Sequence, residues 1–226
     1  MNHANTNNRI TVKSLLSEAW HTASHVEEGL QRTVIALAVR PGKMMQQYLG
    51  GDRKPYQKPF PFLFLTTTIY AVFLHFLHNK VEAIPGTDLP LHERFVITAN
   101  YLELKYYSWL HLGLLPVYGL ISVAIFSGRK YNYAEWLVIC CYSVSFILLL
   151  LIPYQLANSY FQFSNMANFW IQLLIIIAYT LFTVSTLNEG KKNTLFYIKC
   201  IAWAAAIFTT YMYTVQGMAW LIAVNR

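Results

Sequence analysis

Phe146-Ile147-Leu148-Leu149-Leu150-Leu151-Ile152 and Leu173-Leu174-Ile175-Ile176-Ile177-Ala178 are apolar at every helical angle. A helix at the surface of a water-soluble domain keeps a polar stripe, so a helix that is greasy all round is buried in a core or in lipid. The surrounding chain decides between the two. Five stretches have this character: Phe60 to His78, Tyr106 to Phe126, Ala134 to Pro153, Ala167 to Leu187, and Leu195 to about Ile222. Each approaches the ~20 residues that cross ~30 Å of hydrocarbon at ~1.5 Å per residue. One such helix fits a soluble core, whereas five in succession point to a bilayer. The expected fold is all-α: a polytopic membrane protein with five transmembrane helices, residues 60–226, behind a cytoplasmic segment, residues 1–59.

Lys and Arg resist translocation while Asp and Glu contribute little, so their distribution orients the chain. With the amino terminus inside, the inner connections collect twelve basic residues, plus Lys199 at a helix margin, and the outer ones four. The expected topology is therefore N-in and C-out. Tyr106, Tyr107 and Trp109 at one span start, and Tyr131, Tyr133 and Trp136 at another, match the headgroup-level preference of amphipathic rings. The net charge of +7 is accordingly an asymmetry across a membrane, and no nucleic-acid partner is expected. No n-region and h-region order marks a signal peptide, so the first span is expected to direct insertion. Cys140, Cys141 and Cys200 lie inside expected spans without Cys-x-x-Cys spacing and read as small apolar core residues.

Before the first span, Val12, Leu15, Leu16, Ala19, Trp20, Ala23, Val26, Leu30, Val34 and Leu37 recur at helical spacing, which predicts an amphipathic helix. It can lie on the cytoplasmic leaflet or dock beneath the spans. Next comes a stretch rich in Pro, Gly and positive charge, Arg40 to Phe60. Pro41 suits the first turn of a short helix and Gly50-Gly51 its end, while Pro55, Pro59 and Pro61 keep the approach to the span extended. This basic elbow carries Arg40, Lys43, Arg53, Lys54 and Lys58 against Asp52 alone within nineteen residues. Two readings stand: the charges enforce topology, or guanidinium groups on a fixed backbone hold lipid phosphates.

Arg40-Pro41-Gly42, then Tyr48-Leu49-Gly50-Gly51-Asp52-Arg53, then Tyr56 and Pro59, resembles the signature of a bacterial family of multi-spanning inner-membrane proteins, domain of unknown function 3667. Tyr133-Ala134-Glu135-Trp136 is similar to a second feature of that family. The resemblance implies a multi-pass protein of the bacterial inner membrane. Members often carry an amino-terminal Cys-rich zinc ribbon, and this chain has no cysteine before Cys140. Five spans with a cytoplasmic amino terminus also resemble the Yip-type membrane proteins of vesicle trafficking, in architecture only.

No intramembrane Asp, His-Glu-x-x-His, Gly-x-Ser-x-Gly or phosphate-cradling glycine loop supports a pump, hydrolase or nucleotide enzyme. His75, His78 and His111 are expected at comparable depth on the outer side, where imidazoles could hold a divalent metal or haem or simply bond to headgroups. Ser143, Ser145, Gln172, Thr183 and Gln216 are expected to join helices by hydrogen bonds. The reading that results is a non-enzymatic membrane protein without a cofactor. It would be a scaffold, an accessory subunit of a membrane complex or homo-oligomer, or a lipid-handling factor whose elbow meets anionic headgroups or a cytoplasmic partner. A metal- or haem-bearing subunit and a pore or transporter stand behind it.

Overall fold

The computed structural model describes residues 28–77, 89–126, 131–187 and 194–225, and every regular element among them is helical. Residues 28–39 form α1, followed by α2 (Pro41–Leu49), α3 (Pro59–Leu77), α4 (Leu91–Ile125), α5 (Tyr133–Phe161), α6 (Asn165–Leu187) and α7 (Thr194–Val224). The amphipathic stripe expected from Val12 lies outside the described residues up to Val26. Helices α3, α5, α6 and α7 are long and apolar enough to cross a membrane. This is a helical, multi-spanning membrane protein.

The second expected span differs. Its apolar part is Trp109–Ile125, the second half of a 35-residue α4 that begins at Leu91. A stretch expected as a loop is helical because Leu91 to Ser108 contains no Gly or Pro, and its charged side chains carry the helix out of the apolar zone. Pro153 likewise sits inside α5 and does not end it. The lost N–H leaves one carbonyl unpaired, and packing against neighbouring helices is what lets a spanning helix tolerate that. The connection to α6 then shrinks to residues 162–164, turned by Gln162 at φ 50°.

Helix α5 opens on a reciprocal cap. The Asn132 side chain accepts from Glu135 N at 2.9 Å, and Asn132 N donates to the Glu135 carboxylate at 2.7 Å. Both orphan donors are thereby satisfied, which gives Glu135 of the motif a structural role. Within the apolar helices, hydroxyls turn back onto their own backbone: Thr67 bonds to the Leu63 carbonyl at 2.8 Å and Thr210 to that of Ala206 at 2.7 Å. Such local bonds make polar residues compatible with lipid.

Helix α4 packs mainly on α7, and α3 on α5. Their contact holds an aromatic nest in which Trp136 stacks on Phe126 with centroids 4.9 Å apart, and both meet Trp203. The Trp203 indole donates to Ser122 Oγ at 2.7 Å, and Ser122 lies 3.3 Å from Cys140 Sγ, so α4, α5 and α7 meet at one point. At the other end of the bundle, Tyr154 and Gln172 both donate to Asn168 Oδ1, at 2.5 and 2.9 Å, joining α5 to α6. Ser143 and Ser145 join nothing; their buried hydroxyls have no hydrogen-bond partner among the described residues.

Candidate functional site: the basic elbow

Pro41 occupies the first turn of α2, where its missing N–H costs nothing. The helix ends as a Schellman turn: Gly51 N bonds to the Tyr48 carbonyl at 3.2 Å and Asp52 N to the Gln47 carbonyl at 3.0 Å. Gly51 has φ 107°, a conformation an L side chain resists. Two of the motif residues are thus explained by the backbone of one short helix.

Gly42 is explained by what α2 touches. Its N–H donates to Thr186 Oγ1 at 3.0 Å, and Gln46 Nε2 donates to the Leu187 carbonyl at 2.6 Å, so α2 is seated on the C-terminal end of α6. A Cβ at position 42 would fall 2.0 Å from Leu187 N and 2.3 Å from the Thr186 carbonyl carbon. Only glycine permits that approach of two backbones. The positive end of α2 meets the negative end of α6, which favours the same seat.

Tyrosines lock the rest. Tyr48 is buried edge-on against Tyr142, with centroids 5.5 Å apart, and Tyr56 donates to Gln47 Oε1 at 2.7 Å. Tyr142 of α5 donates to the Gln57 carbonyl at 2.7 Å, while Gln57 N donates to Thr33 Oγ1 of α1 at 2.8 Å. Tyr179 of α6 donates to the Leu37 carbonyl at 3.3 Å. Met44, Met45 and Leu37 are wholly buried beneath this lattice. Residues 28–58 are therefore a rigid part of the bundle.

Arg40, Lys43, Arg53, Lys54 and Lys58 are all exposed on this frame. None forms an ion pair among the described residues, where the one pair is Arg32 with Glu28 at 3.7 Å on the surface of α1. Arg53 is partly anchored, its guanidinium 5.6 Å from the Tyr48 ring and Nε 3.4 Å from the Tyr48 carbonyl. At the start of α2 the Gly42 N–H is engaged by Thr186 and the Met44 N–H by Arg40, which leaves the exposed cationic side chains as the main anion-binding groups here. Fixed cations with unspent charge are the chemistry of an anion-binding surface.

The expected histidine set lies partly outside the described residues. His75 is exposed on α3, His111 is buried with its ring 4.5 Å from that of Tyr211, and His78 lies outside the described residues. No three His, Cys, Asp or Glu side chains converge among the described residues.

A second cluster escaped the sequence reading. Glu103, His111, Tyr118 and Ser122 share one stripe of α4, and Tyr211 of α7 lies within electrostatic reach of Glu103, Tyr118 and Tyr70. Tyr70 in turn takes a bond from Gln155 at 3.3 Å. The signal was the spacing of Glu103 and His111, visible only once residues 91–108 are known to be helical. Burial raises the Glu103 carboxyl above the ordinary carboxylate range. The folded protein then keeps a proton that the unfolded chain has lost, so this group's contribution to stability falls as pH rises from the unfolded value through the folded one. Glu103→Gln is expected to remove that pH slope and to raise the unfolding temperature at pH 8 while leaving it little changed at pH 4.5. Melting curves in detergent at the two pH values check this.

Residues 27–71, less than a quarter of the chain, match the family described as "Protein of unknown function (DUF3667)". The match covers α1, the elbow and the first turns of α3. No curated protein and no solved structure matches the chain.

Proposed function

We propose that this is a non-enzymatic protein of the bacterial inner membrane that crosses it five times, amino terminus in the cytoplasm and carboxy terminus outside, and whose elbow binds anionic lipid headgroups. It serves as a scaffold, accessory subunit or lipid-handling factor at that surface. The observation that supports this reading is the set of five exposed cations, against Asp52 alone, on a backbone clamped to α5 and α6, none of them in an ion pair among the described residues. Five crossings count the apolar half of α4 with the four longer spans. The orientation follows from the basic residues, which collect at the elbow end.

Each Lys or Arg near an anionic leaflet contributes roughly 1 kcal/mol, fading over about 8 to 10 Å. Replacing Arg40, Arg53 and Lys54 together with Gln should therefore weaken retention of phosphatidylglycerol about a hundredfold. Native mass spectrometry of the delipidated protein, titrated with phosphatidylglycerol and with phosphatidylcholine, reads this directly. An unchanged melting temperature confirms that the variant is folded. Equal retention of phosphatidylglycerol by the parent and the variant rejects the reading.

A further inference from the structure

We infer that α1 is an in-plane membrane helix whose Ile35 and Val39 insert among the acyl chains of the leaflet on the elbow side. The inference rests on the elbow lying at the bilayer surface, as proposed above, and adds which residues enter the lipid. Ile35 and Val39 are 63% and 67% exposed and stand one turn apart, forming a ridge. The opposite face, Thr33, Ala36 and Leu37, is buried against the bundle. Such an apolar ridge faces either lipid or another protein, and depth, continuity and charge favour lipid.

Depth comes from the tyrosines that hold the elbow. Tyr179 lies eight residues before the end of α6 at Leu187, and Tyr142 nine residues after the start of α5 at Tyr133. At ~1.5 Å per residue their backbones stand about 12 to 14 Å inside the helix ends. Since they bond to the carbonyls of Leu37 and Gln57, α1 is strapped to the flanks of α5 and α6 and does not hang beneath them. The 29 residues of α5 span about 43 Å, more than the ~30 Å of hydrocarbon, so its end projects and its flank lies at the lipid boundary.

Continuity comes from α3. Phe60 and Phe64, 51% and 50% exposed and also one turn apart, begin a lipid-facing stripe directly after Gln57, whose N–H is tied to Thr33 of α1. Charge comes from Arg40 and from Arg32, the latter shared with Glu28 in a surface pair at 3.7 Å; exposed at either end of the ridge, their long stems let the heads reach the phosphates while neighbouring apolar groups sink. An apolar ridge flanked by cations is the pattern of an interfacial helix.

Nitroxide labels on Ile35→Cys and Val39→Cys test this, because native Cys140, Cys141 and Cys200 are fully buried and will not compete. In vesicles of phosphatidylethanolamine and phosphatidylglycerol, both labels should collide with oxygen severalfold more than with a water-soluble nickel chelate. A label at Lys43→Cys should show the reverse. If the labels at 35 and 39 prefer nickel, as at 43, the ridge faces water and the inference fails. If they are shielded from both reagents, a second copy or another protein covers the ridge, and the inference fails as well. Vesicles of phosphatidylcholine alone separate this from the headgroup proposal. Lipid exposure retained at 35 and 39, without preferential retention of phosphatidylglycerol in the titration above, overturns the headgroup reading and leaves the inserted ridge standing.

Discussion

Gly42→Ala destabilises the protein by about 3 to 5 kcal/mol and releases the elbow from the bundle. The added carbon would meet backbone at 2.0 to 2.6 Å, at Leu187 N, Thr186 C and Leu187 Cα, and no rotamer change relieves a backbone contact. Helix α2 must lift away. Overpacking of this kind costs about 1 to 3 kcal/mol, and the two bonds onto α6, from Gly42 N and Gln46 Nε2, add about 1 kcal/mol each when lost. Lifting α2 also uncovers Met44 and Met45. Thermal unfolding in detergent and protease cleavage within residues 50–58 report the two effects. Gly113→Ala is the control, because a Cβ there meets nothing within 4 Å and alanine is the better helix former. A Gly42→Ala protein as stable and as protease-resistant as the parent would refute the backbone-contact explanation.

Trp136→Ala has the second large effect, about 3 to 5 kcal/mol. Trp136 is almost fully buried where Phe126, Tyr131 and Trp203 converge. Lipid chains are as apolar as these rings, so association of spanning helices depends on tight packing rather than on escape from water. Removing the ring leaves a cavity that the nest cannot fill, because Trp203 is held by its bond to Ser122. Trp220→Ala, at an exposed ring on α7, should change stability by less than about 0.5 kcal/mol. Melting temperatures in one detergent compare the pair.

Much of this architecture is written locally. Continuous apolar runs give the spans, and Pro41 and Gly50-Gly51 give a helix whose ends are where those residues place them. The cap of α5 was equally local, carried by Asn132 and Glu135 three residues apart. What local sequence could not give is contact across distance. Gly42 reads as flexibility until Thr186, 144 positions away, is seen to receive its N–H. Nor does periodicity fix where a spanning helix stops. The charges of Leu91 to Ser108 looked like a connection, because the tendency of a helix to continue outside the bilayer is set by the absence of breakers and leaves apolarity unchanged. Glu103 therefore reads as part of a connection, and its approach to Tyr211 is not legible locally. The elbow cations could be counted from the sequence, but their fixed frame depends on Tyr142 and Tyr179, which looked like ordinary span residues.

The most direct test is the sidedness of two positions separated by α3, α4 and α5. Lys54→Cys and Tyr160→Cys, both exposed, are labelled in intact cells with a membrane-impermeant maleimide. Three crossings between them predict that the cysteine at 160 reacts from outside and the one at 54 only after the membrane is opened. Labelling of both from the same side would mean that the apolar half of α4 does not cross and would contradict the five-span account, and reaction of the cysteine at 54 in intact cells would contradict the leaflet assigned to the elbow.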